Sequence, residues 1–263
     1  MSDFETLIFE KKDGVAKITL NRPDAANGIN LTLAKELMAV ASDCNDDHSV
    51  RAVLITGNGK LFCAGGDLKS IGAAEGSMSG LLKEITFYLH GALSRLARMN
   101  APVIIAVNGT AAGAGFSLAV AGDYVLAAES AKFTMAYTAA GLTPDGSASY
   151  YLPRLIGMRK TQDLMLTNRR LTAQEAMEWG AINQVVADDQ LQAEAQALAE
   201  KFANGPTQAF GVVKKLLHCT FNNGLETQLE LEGAGIAAMS TLADGQEGIT
   251  AFSEKRAPVF TGK

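Results

Sequence analysis

The sequence has few of the residues that build disulfide frameworks, metal clusters or nucleic-acid surfaces. Its three cysteines, Cys44, Cys63 and Cys219, are odd in number and lie far apart along the 263 residues. This spacing favours reduced thiols and predicts neither a disulfide framework nor a bound metal. Charged residues make up only 19%, the net charge is −5, and no long basic run occurs. A nucleic-acid partner is therefore not expected.

Long apolar runs are also absent. No run reaches the roughly 18–20 residues that a membrane-spanning helix needs, so no membrane partner is expected. A secretory signal would have a basic segment followed by an apolar one, and the first residues have neither. A cytoplasmic protein is therefore predicted. The 48% of hydrophobic residues suits one large α/β domain, with or without a helical appendage.

Apolar patterns predict strands alternating with helices through most of the chain and helices alone near its end. Strands are predicted over residues 4–10, 15–20, 52–56, 103–107, 125–128, 132–135 and 182–186. Helices are predicted over residues 31–45, 81–99, 172–180, 188–204, 206–221, 225–242 and 246–255. Residues 72–80, which are small and polar, predict a flexible lid or a disordered connection.

The most informative stretch is residues 103–117, where an apolar strand passes through a turn into a helix. Residues 111–115 are all alanine or glycine, which lets another molecule approach the backbone closely. The first turn of a helix also has unpaired N–H groups and a dipole that favours negative charge. Residues 64–67, Ala-Gly-Gly-Asp, could direct a second N–H to the same point and complete an oxyanion hole. Close strand–helix packing alone would also explain these glycines.

Two other glycine-rich motifs do not fit. A dinucleotide-binding fingerprint would need a third glycine where Leu118 stands, and the segment lies in the middle of the chain. A phosphate-binding P-loop would need Gly-Lys-Ser or Gly-Lys-Thr, which does not follow.

The two glycine-rich segments resemble the signature segments of the crotonase superfamily, also called the enoyl-CoA hydratase/isomerase family. Further similar segments follow in the family's order, at residues 15–23, 51–57 followed by 62–68, 130–133 and 171–180. The resemblance implies an α/β fold with a ClpP-like spiral core of ββα units over residues 1–200. Residues 201–263 would then form a helical region that assembles homotrimers or dimers of trimers. The implied substrate is an acyl-CoA thioester, with coenzyme A as part of the substrate and no separate cofactor.

The resemblance also implies positions for the thioester. Backbone N–H groups of Gly66 and Ala114 would form the oxyanion hole. Contacts with coenzyme A are implied for Asn27, Gly28, Ile29, Ala64, Gly66, Asp67, Leu68, Lys69, Lys255 and Phe260. The last two would reach the coenzyme A of a neighbouring subunit, although a solvated lysine and a core phenylalanine would also fit these positions.

The two glutamates that hydratases of the family use are missing, since Ser117 and Tyr137 stand at their positions. Hydration needs one group to activate water and another to protonate carbon, which argues against the standard hydratase mechanism. A carboxylate follows at Asp145, within Thr-Pro-Asp-Gly. Δ3,Δ2-enoyl-CoA isomerases and ring-epoxide phenylacetyl-CoA isomerases have their catalytic acid there, and residues 248–263 resemble the latter. Asp145 is therefore predicted to be catalytic, with a helix N-cap as the competing interpretation.

These features predict an enoyl-CoA isomerase in which Asp145 moves a proton from C2 to C4. Residues 130–180 also resemble 4-chlorobenzoyl-CoA dehalogenase, which has an aspartate nucleophile at the Asp145 position and a histidine at the His90 position. Dehalogenation ranks second because Gly66, Leu89 and Tyr137 replace bulky aromatic residues. Enoyl-CoA hydration and a non-catalytic acyl-CoA-binding module rank below these two functions. Acyl-group preference is assigned to Phe87, Tyr88, Phe116, Met135 and Tyr137.

Overall fold

The computed structural model describes residues 4–73 and 75–263. In chain order the strands are β1 (Leu7–Lys12), β2 (Val15–Leu20), β3 (Ala52–Gly57), β4 (Leu61–Cys63), β5 (Val103–Val107), β6 (Thr110–Ala112), β7 (Tyr124–Ala128), β8 (Lys132–Thr134), β9 (Leu171–Thr172) and β10 (Gln184–Val186). The helices are α1 (Leu31–Asp46), α2 (Leu68–Gly72), α3 (Met78–Arg98), α4 (Ala114–Val120), α5 (Ala148–Ile156), α6 (Met158–Thr167), α7 (Ala173–Trp179), α8 (Leu191–Ala203), α9 (Thr207–Cys219), α10 (Leu225–Ser240) and α11 (Ala243–Glu254).

The strands form two sheets. A six-stranded sheet has the order β1-β2-β3-β5-β7-β10, and a four-stranded sheet has the order β4-β6-β8-β9. Only the β1–β2 and β8–β9 pairs are antiparallel. Every residue of β3 and β5 is buried, as expected for central strands of a parallel sheet that is covered on both faces.

A ββα unit repeats along the core. Strands β3, β5 and β7 of the large sheet lead directly into β4, β6 and β8 of the small sheet, and a helix follows each pair. Since β4, β6 and β8 are parallel neighbours, their carboxyl ends lie at one edge of the small sheet. The repeat therefore brings three separate loops to the same place.

Most of the predicted elements are present, with shifted ends. The first strand runs to Lys12 because the hairpin turn needs only Asp13 and Gly14. The capping box of α7, Thr172 with Glu175, is formed as its spacing predicts. The lid prediction for residues 72–80 is wrong at its end, since α3 begins at Met78 with Ser77 as its cap. Residue 74, within that segment, lies outside the described residues.

The last helices are anchored to the core at a few buried polar contacts. Lys214 of α9 is buried, and its Nζ lies 2.6 Å from Asp123 Oδ2 and donates to two core carbonyls. Burial lowers the pKa of Lys214, and the Asp123 carboxylate opposes that shift. Buried Asp244 accepts hydrogen bonds from the backbone of Thr261 and Gly262, which fixes the C-terminal tail.

Membrane-spanning helices and metal clusters are both absent from the described residues. No helix within residues 4–73 and 75–263 is both long and apolar enough to cross a membrane. Over the same residues, no three His, Cys, Asp or Glu side chains are grouped so that they could hold a metal ion.

Candidate active site

The candidate site lies where the loops after β4, β6 and β8 meet. Gly66 follows β4, Ala114 is the first residue of α4 after β6, and Tyr137 follows β8. Gly65 and the segment from Ala112 to Ala114 are in close contact, because a Cβ added at Gly65 would lie 3.3 Å from the Ala114 nitrogen. The sequence-predicted oxyanion loops are therefore neighbours in the fold.

Both predicted oxyanion donors are unpaired within the described part of the chain. The N–H groups of Gly66 and Ala114 have no acceptor there, whereas Gly113 N–H donates to Thr134 and Asp67 N–H donates to Ile29. Gly113, with φ 50° and ψ −124°, is in a conformation open essentially to glycine alone. It turns the chain so that Ala114 begins α4 at this point. Unpaired N–H groups at a helix start suit a developing oxyanion.

A cleft of about 260 Å³ opens in front of these donors. Seven of the sequence-predicted site residues line it, and they come from four separate segments: Ile29, Ala64, Gly66, Leu68, Ala114, Tyr137 and Asp145. The cleft is mostly apolar, and Asp145 is the only carboxylate among its described lining residues. Such a combination suits a substrate that is apolar apart from one reacting group.

The apolar wall of the cleft differs from the one predicted. Phe116 and Met135 are buried in the core, and neither Phe87 nor Tyr88 lines the cleft, so four of the five acyl-preference residues were predicted wrongly. Tyr137 alone of the five contacts it. The wall consists instead of side chains from α2, α3 and the loop before α5: Ile71, Leu82, Ile85, Thr86, Leu89 and Leu142. The helical spacing of the α3 residues was visible in the sequence, but it indicated only a buried face.

Asp145 is not a helix cap. Helix α5 begins at Ala148, its cap position is Ser147, and no side chain caps it. The Asp145 carboxylate is directed to His90 of α3 instead, with Oδ1 2.8 Å from His90 Nε2. The Asp145 and His90 side chains are 32% and 52% exposed. Asp145 lines the cleft, whereas His90 lines a separate cavity between α3, α5 and α9. The N-cap interpretation is therefore wrong, and the carboxylate is available for other contacts.

The residues at the missing glutamate positions form a hydroxyl pair. Ser117 is fully buried, and its hydroxyl donates to the Asp145 carbonyl at 2.7 Å. The Tyr137 hydroxyl donates to the same carbonyl at 3.1 Å and lies 3.2 Å from Ser117 Oγ. Burial raises the pKa of Tyr137 to about 12, so its hydroxyl keeps its proton at neutral pH.

The loops predicted to contact coenzyme A are held together by an internal network. The buried Asn27 amide donates to the carbonyls of Asn58, Leu61 and Phe62, which makes it a structural residue of the β4 loop. Asp67 caps α2 and lies 2.9 Å from the Arg22 guanidinium. Although burial opposes it, hydrogen bonds from Ser70 and Arg22 lower the pKa of Asp67.

The remaining predicted contacts are less closely placed. Gly28 and Lys69 adjoin the cleft without lining it, and Lys69 is exposed. Lys255 and Phe260 lie at the C-terminal end of the chain, and neither lines the cleft. Phe260 lines a different cavity, between α9 and α11. A single chain therefore does not bring these two residues to its own site.

Comparison with known proteins agrees with this geometry. The family model for enoyl-CoA hydratase/isomerase matches residues 10–263. The chain is 40% identical to 1,2-epoxyphenylacetyl-CoA isomerase of Escherichia coli over 98% of this chain and 99% of that protein. It is also 40% identical to a probable enoyl-CoA hydratase of Rhodobacter capsulatus, over 99% of each.

A solved structure shows the same architecture. Enoyl-CoA hydratase from Bacillus anthracis matches with a TM-score of 0.92 and 32% identity, over 98% of this chain and 100% of that one. The predicted α/β fold class is confirmed by this match and by the ββα repeat. The chain therefore belongs to the enoyl-CoA hydratase/isomerase family and has the crotonase fold.

Proposed function

We propose that this protein is an enoyl-CoA isomerase that moves a double bond from C3=C4 to C2=C3 of an acyl-CoA thioester. The observation that carries the proposal is that Asp145 is the one carboxylate among the described lining residues of a cleft with two backbone donors that have no acceptor there. A double-bond shift needs one group to move one proton, whereas hydration of the usual kind needs two. The number of carboxylates in the cleft therefore favours isomerisation.

In the proposed reaction, the thioester carbonyl accepts hydrogen bonds from the N–H groups of Gly66 and Ala114. Asp145 removes a proton from C2, and the electron pair of that bond moves toward the carbonyl oxygen to give a dienolate. The two donors stabilise the negative charge; loss of one such donor typically costs about 3–4 kcal/mol in the barrier. Asp145 then returns the proton at C4, so no proton is gained or lost overall. Coenzyme A is part of the substrate, and the step requires no separate cofactor.

The experiment that tests this function compares three thioesters with the same enzyme preparation: a 3-enoyl-CoA, crotonyl-CoA and 4-chlorobenzoyl-CoA. We expect turnover of the 3-enoyl-CoA and little or no hydration of crotonyl-CoA, because Ser117 and Tyr137 cannot activate water and protonate carbon as a glutamate pair does. The absorbance of the conjugated enoyl thioester follows both reactions. Efficient hydration would contradict the isomerase assignment. Binding of acyl-CoA without turnover or C2 deuterium exchange would favour a binding module.

The contact between His90 and Asp145 favours one second candidate, hydrolytic dehalogenation of 4-chlorobenzoyl-CoA. In that reaction the aspartate attacks the ring and releases chloride, and a base activates the water that cleaves the aryl ester. His90, with its Nε2 2.8 Å from the Asp145 carboxylate, would supply that base from outside the described lining of the cleft. The walls of the cleft argue against dehalogenation, because they offer an aryl ring little surface for stacking. They are chiefly aliphatic, and Tyr137 is the only aromatic residue among the described lining residues.

His90→Gln distinguishes the two reactions. Glutamine retains a polar group of similar reach but no base, and isomerisation requires none besides Asp145. We expect 3-enoyl-CoA isomerisation to stay within about tenfold of the parent, a barrier change of about 1.4 kcal/mol or less. Rapid-quench mass spectrometry with 4-chlorobenzoyl-CoA provides the opposing measurement. Accumulation of an aryl ester on Asp145 in the variant would reverse the order of the two candidates.

We also propose that the last helices assemble the protein into a homotrimer or a dimer of trimers. Helix α10 has no buried residue in the single chain. Large apolar side chains are exposed on α9 to α11 and the tail: Val213, Leu217, Phe221, Leu225, Leu229, Leu231, Ile236, Ile249, Phe252 and Val259. A patch of this extent usually marks an interface. Under this proposal, residues 201–263 are the assembly region, and Lys255 and Phe260 reach the coenzyme A of a neighbour.

Light scattering tests the assembly. We expect a mass about three or six times that of the 27.6-kDa chain at micromolar concentration. Ile236→Asp should lower that mass, because Ile236 is 75% exposed in the single chain and would be buried in the assembly. A monomer of the parent protein would contradict the assembly and would remove Lys255 and Phe260 as ligands in trans.

A further inference from the structure

Ser117 and Tyr137 share an acceptor that the proposed chemistry does not use. Both hydroxyls donate to the backbone carbonyl of Asp145, at 2.7 and 3.1 Å. A carbonyl oxygen has two lone pairs, so the two donors can be accepted together. The residues at the lost glutamate positions therefore contact the main chain of the residue that carries the remaining carboxylate.

Besides these two donors, the Asp145 carboxylate contacts His90 Nε2 at 2.8 Å, and the segment around Asp145 has few other restraints. Residues 141–147 form no helix or strand, and Gly146 alone among them is buried. The hydroxyl donors come from two rigid neighbours, since Ser117 lies within α4 and Tyr137 closely follows the small sheet. The contact is close, because a Cβ added at Gly146 would lie 3.0 Å from Ser117 Cβ. Fixing the carbonyl of Asp145 fixes the origin of its side chain.

We propose that Ser117 and Tyr137 are positioning residues that hold the Asp145 carbonyl and thereby set the direction of its carboxylate in the cleft. This inference rests on the proposed isomerase function for its effect on rate. Its structural part, that the two hydroxyls fix the position of the Asp145 carbonyl, depends only on the hydrogen bonds. The two hydroxyls thus have a positioning task at the sequence positions where the resemblance places the glutamates of hydratases.

The hydroxyls of Ser117 and Tyr137 are both uncharged hydrogen-bond donors, as this role requires. Tyr137 is protonated at neutral pH, as any tyrosine is, and burial raises its pKa further, to about 12. Ser117 is fully buried. Neither hydroxyl needs to contact substrate for this role. Removal of one hydroxyl should leave the cleft and the oxyanion donors in place while Asp145 gains freedom of orientation.

The test uses Tyr137→Phe, Ser117→Ala and the matched control Tyr124→Phe, whose hydroxyl lies 3.5 Å from Gln184 Oε1 and outside the cleft. We expect each of the two variants to lower kcat for 3-enoyl-CoA isomerisation about three- to tenfold, the range for one hydrogen bond. KM should change less than about twofold, and the control should match the parent. A loss carried mainly by KM would overturn the proposal, because it would place the hydroxyls on the substrate.

A second readout does not depend on activity. The chain has only three histidines, so the ring signals of His90 can be assigned in ¹H–¹⁵N NMR spectra by comparison with His90→Gln. Reorientation of Asp145 should shift the His90 signals in Tyr137→Phe and Ser117→Ala and leave them unchanged in Tyr124→Phe. Unchanged His90 signals in both variants would overturn the proposal. If the parent protein lacks isomerase activity but the variants still shift the His90 signals, the role of the two hydroxyls in holding Asp145 would be supported. Only the proposed function would then be rejected.

Discussion

Asp145→Asn is expected to lower 3-enoyl-CoA isomerisation by at least about 100-fold, the low end for a group that transfers a proton. Asparagine has the shape of aspartate but cannot accept the C2 proton. The other described residues lining the cleft include no second carboxylate to replace it. Single-turnover measurements at saturating substrate would report the proton-transfer step.

Binding provides the control for this variant. The oxyanion donors and the cleft walls do not depend on the Asp145 carboxylate, so affinity for an unreactive acyl-CoA should be nearly retained. Asp163→Asn, on α6, is a matched substitution outside the cleft and should behave as the parent does. Near-normal turnover by Asp145→Asn would mean that another group moves the proton.

Gly113→Ala is expected to lower turnover by about 100- to 1,000-fold, the loss typical of one oxyanion donor. With φ 50° and ψ −124°, Gly113 has a backbone conformation that strains any residue with a Cβ by about 1–3 kcal/mol. The added Cβ has room, with its nearest neighbour at 3.6 Å, so the strain is conformational. Relief of that strain requires rotation of the peptide that carries the Ala114 N–H.

Gly157→Ala is the matched control for this backbone change. Gly157, between α5 and α6, has φ 79° and ψ 159°, and an added Cβ would meet no atom within 4 Å. It should lose stability without a comparable loss of turnover per folded molecule. Thermal unfolding and kcat measured on both variants separate the two effects. Equal turnover in Gly113→Ala and Gly157→Ala would show that the Ala114 donor does not contribute.

The sequence predicted the large sheet and most helices because their residues follow apolar patterns over several consecutive positions. Strands β4 and β6 have only three residues each, too few for a periodic pattern, so neither was predicted. Of the small sheet, only β8 was predicted, at residues 132–135, and the family resemblance implied ββα units without placing the other strands. Gly66 and Ala114 lie close together because β4 and β6 pair. Since the sequence did not predict that pairing, the glycines were also compatible with close strand–helix packing alone.

The sequence and the family resemblance predicted several of the residues that belong to the candidate site, but not how their side chains contact each other. The family resemblance indicated that Ser117 and Tyr137 stand where hydratases have glutamates, but it did not indicate their hydrogen bonds to a main-chain carbonyl. Local sequence also allowed Asp145 to cap α5, because aspartate before a helix often does so. The structure directs that carboxylate to His90 on α3, a partner 55 residues away along the chain. Contacts between distant segments depend on the whole fold, so no local pattern indicates them.

The proposed oxyanion donors have an evolutionary consequence because they belong to the main chain. A side-chain substitution at Gly66 or Ala114 leaves the N–H in place, unless it introduces proline or strains the loop. In the proposed site, the thioester would thus remain activated while mutations exchange the acids and bases around it. Divergence of reaction type can then proceed through intermediates that still bind and polarise the substrate. This fits a family whose members have names as different as isomerase and hydratase at the same 40% identity to this chain.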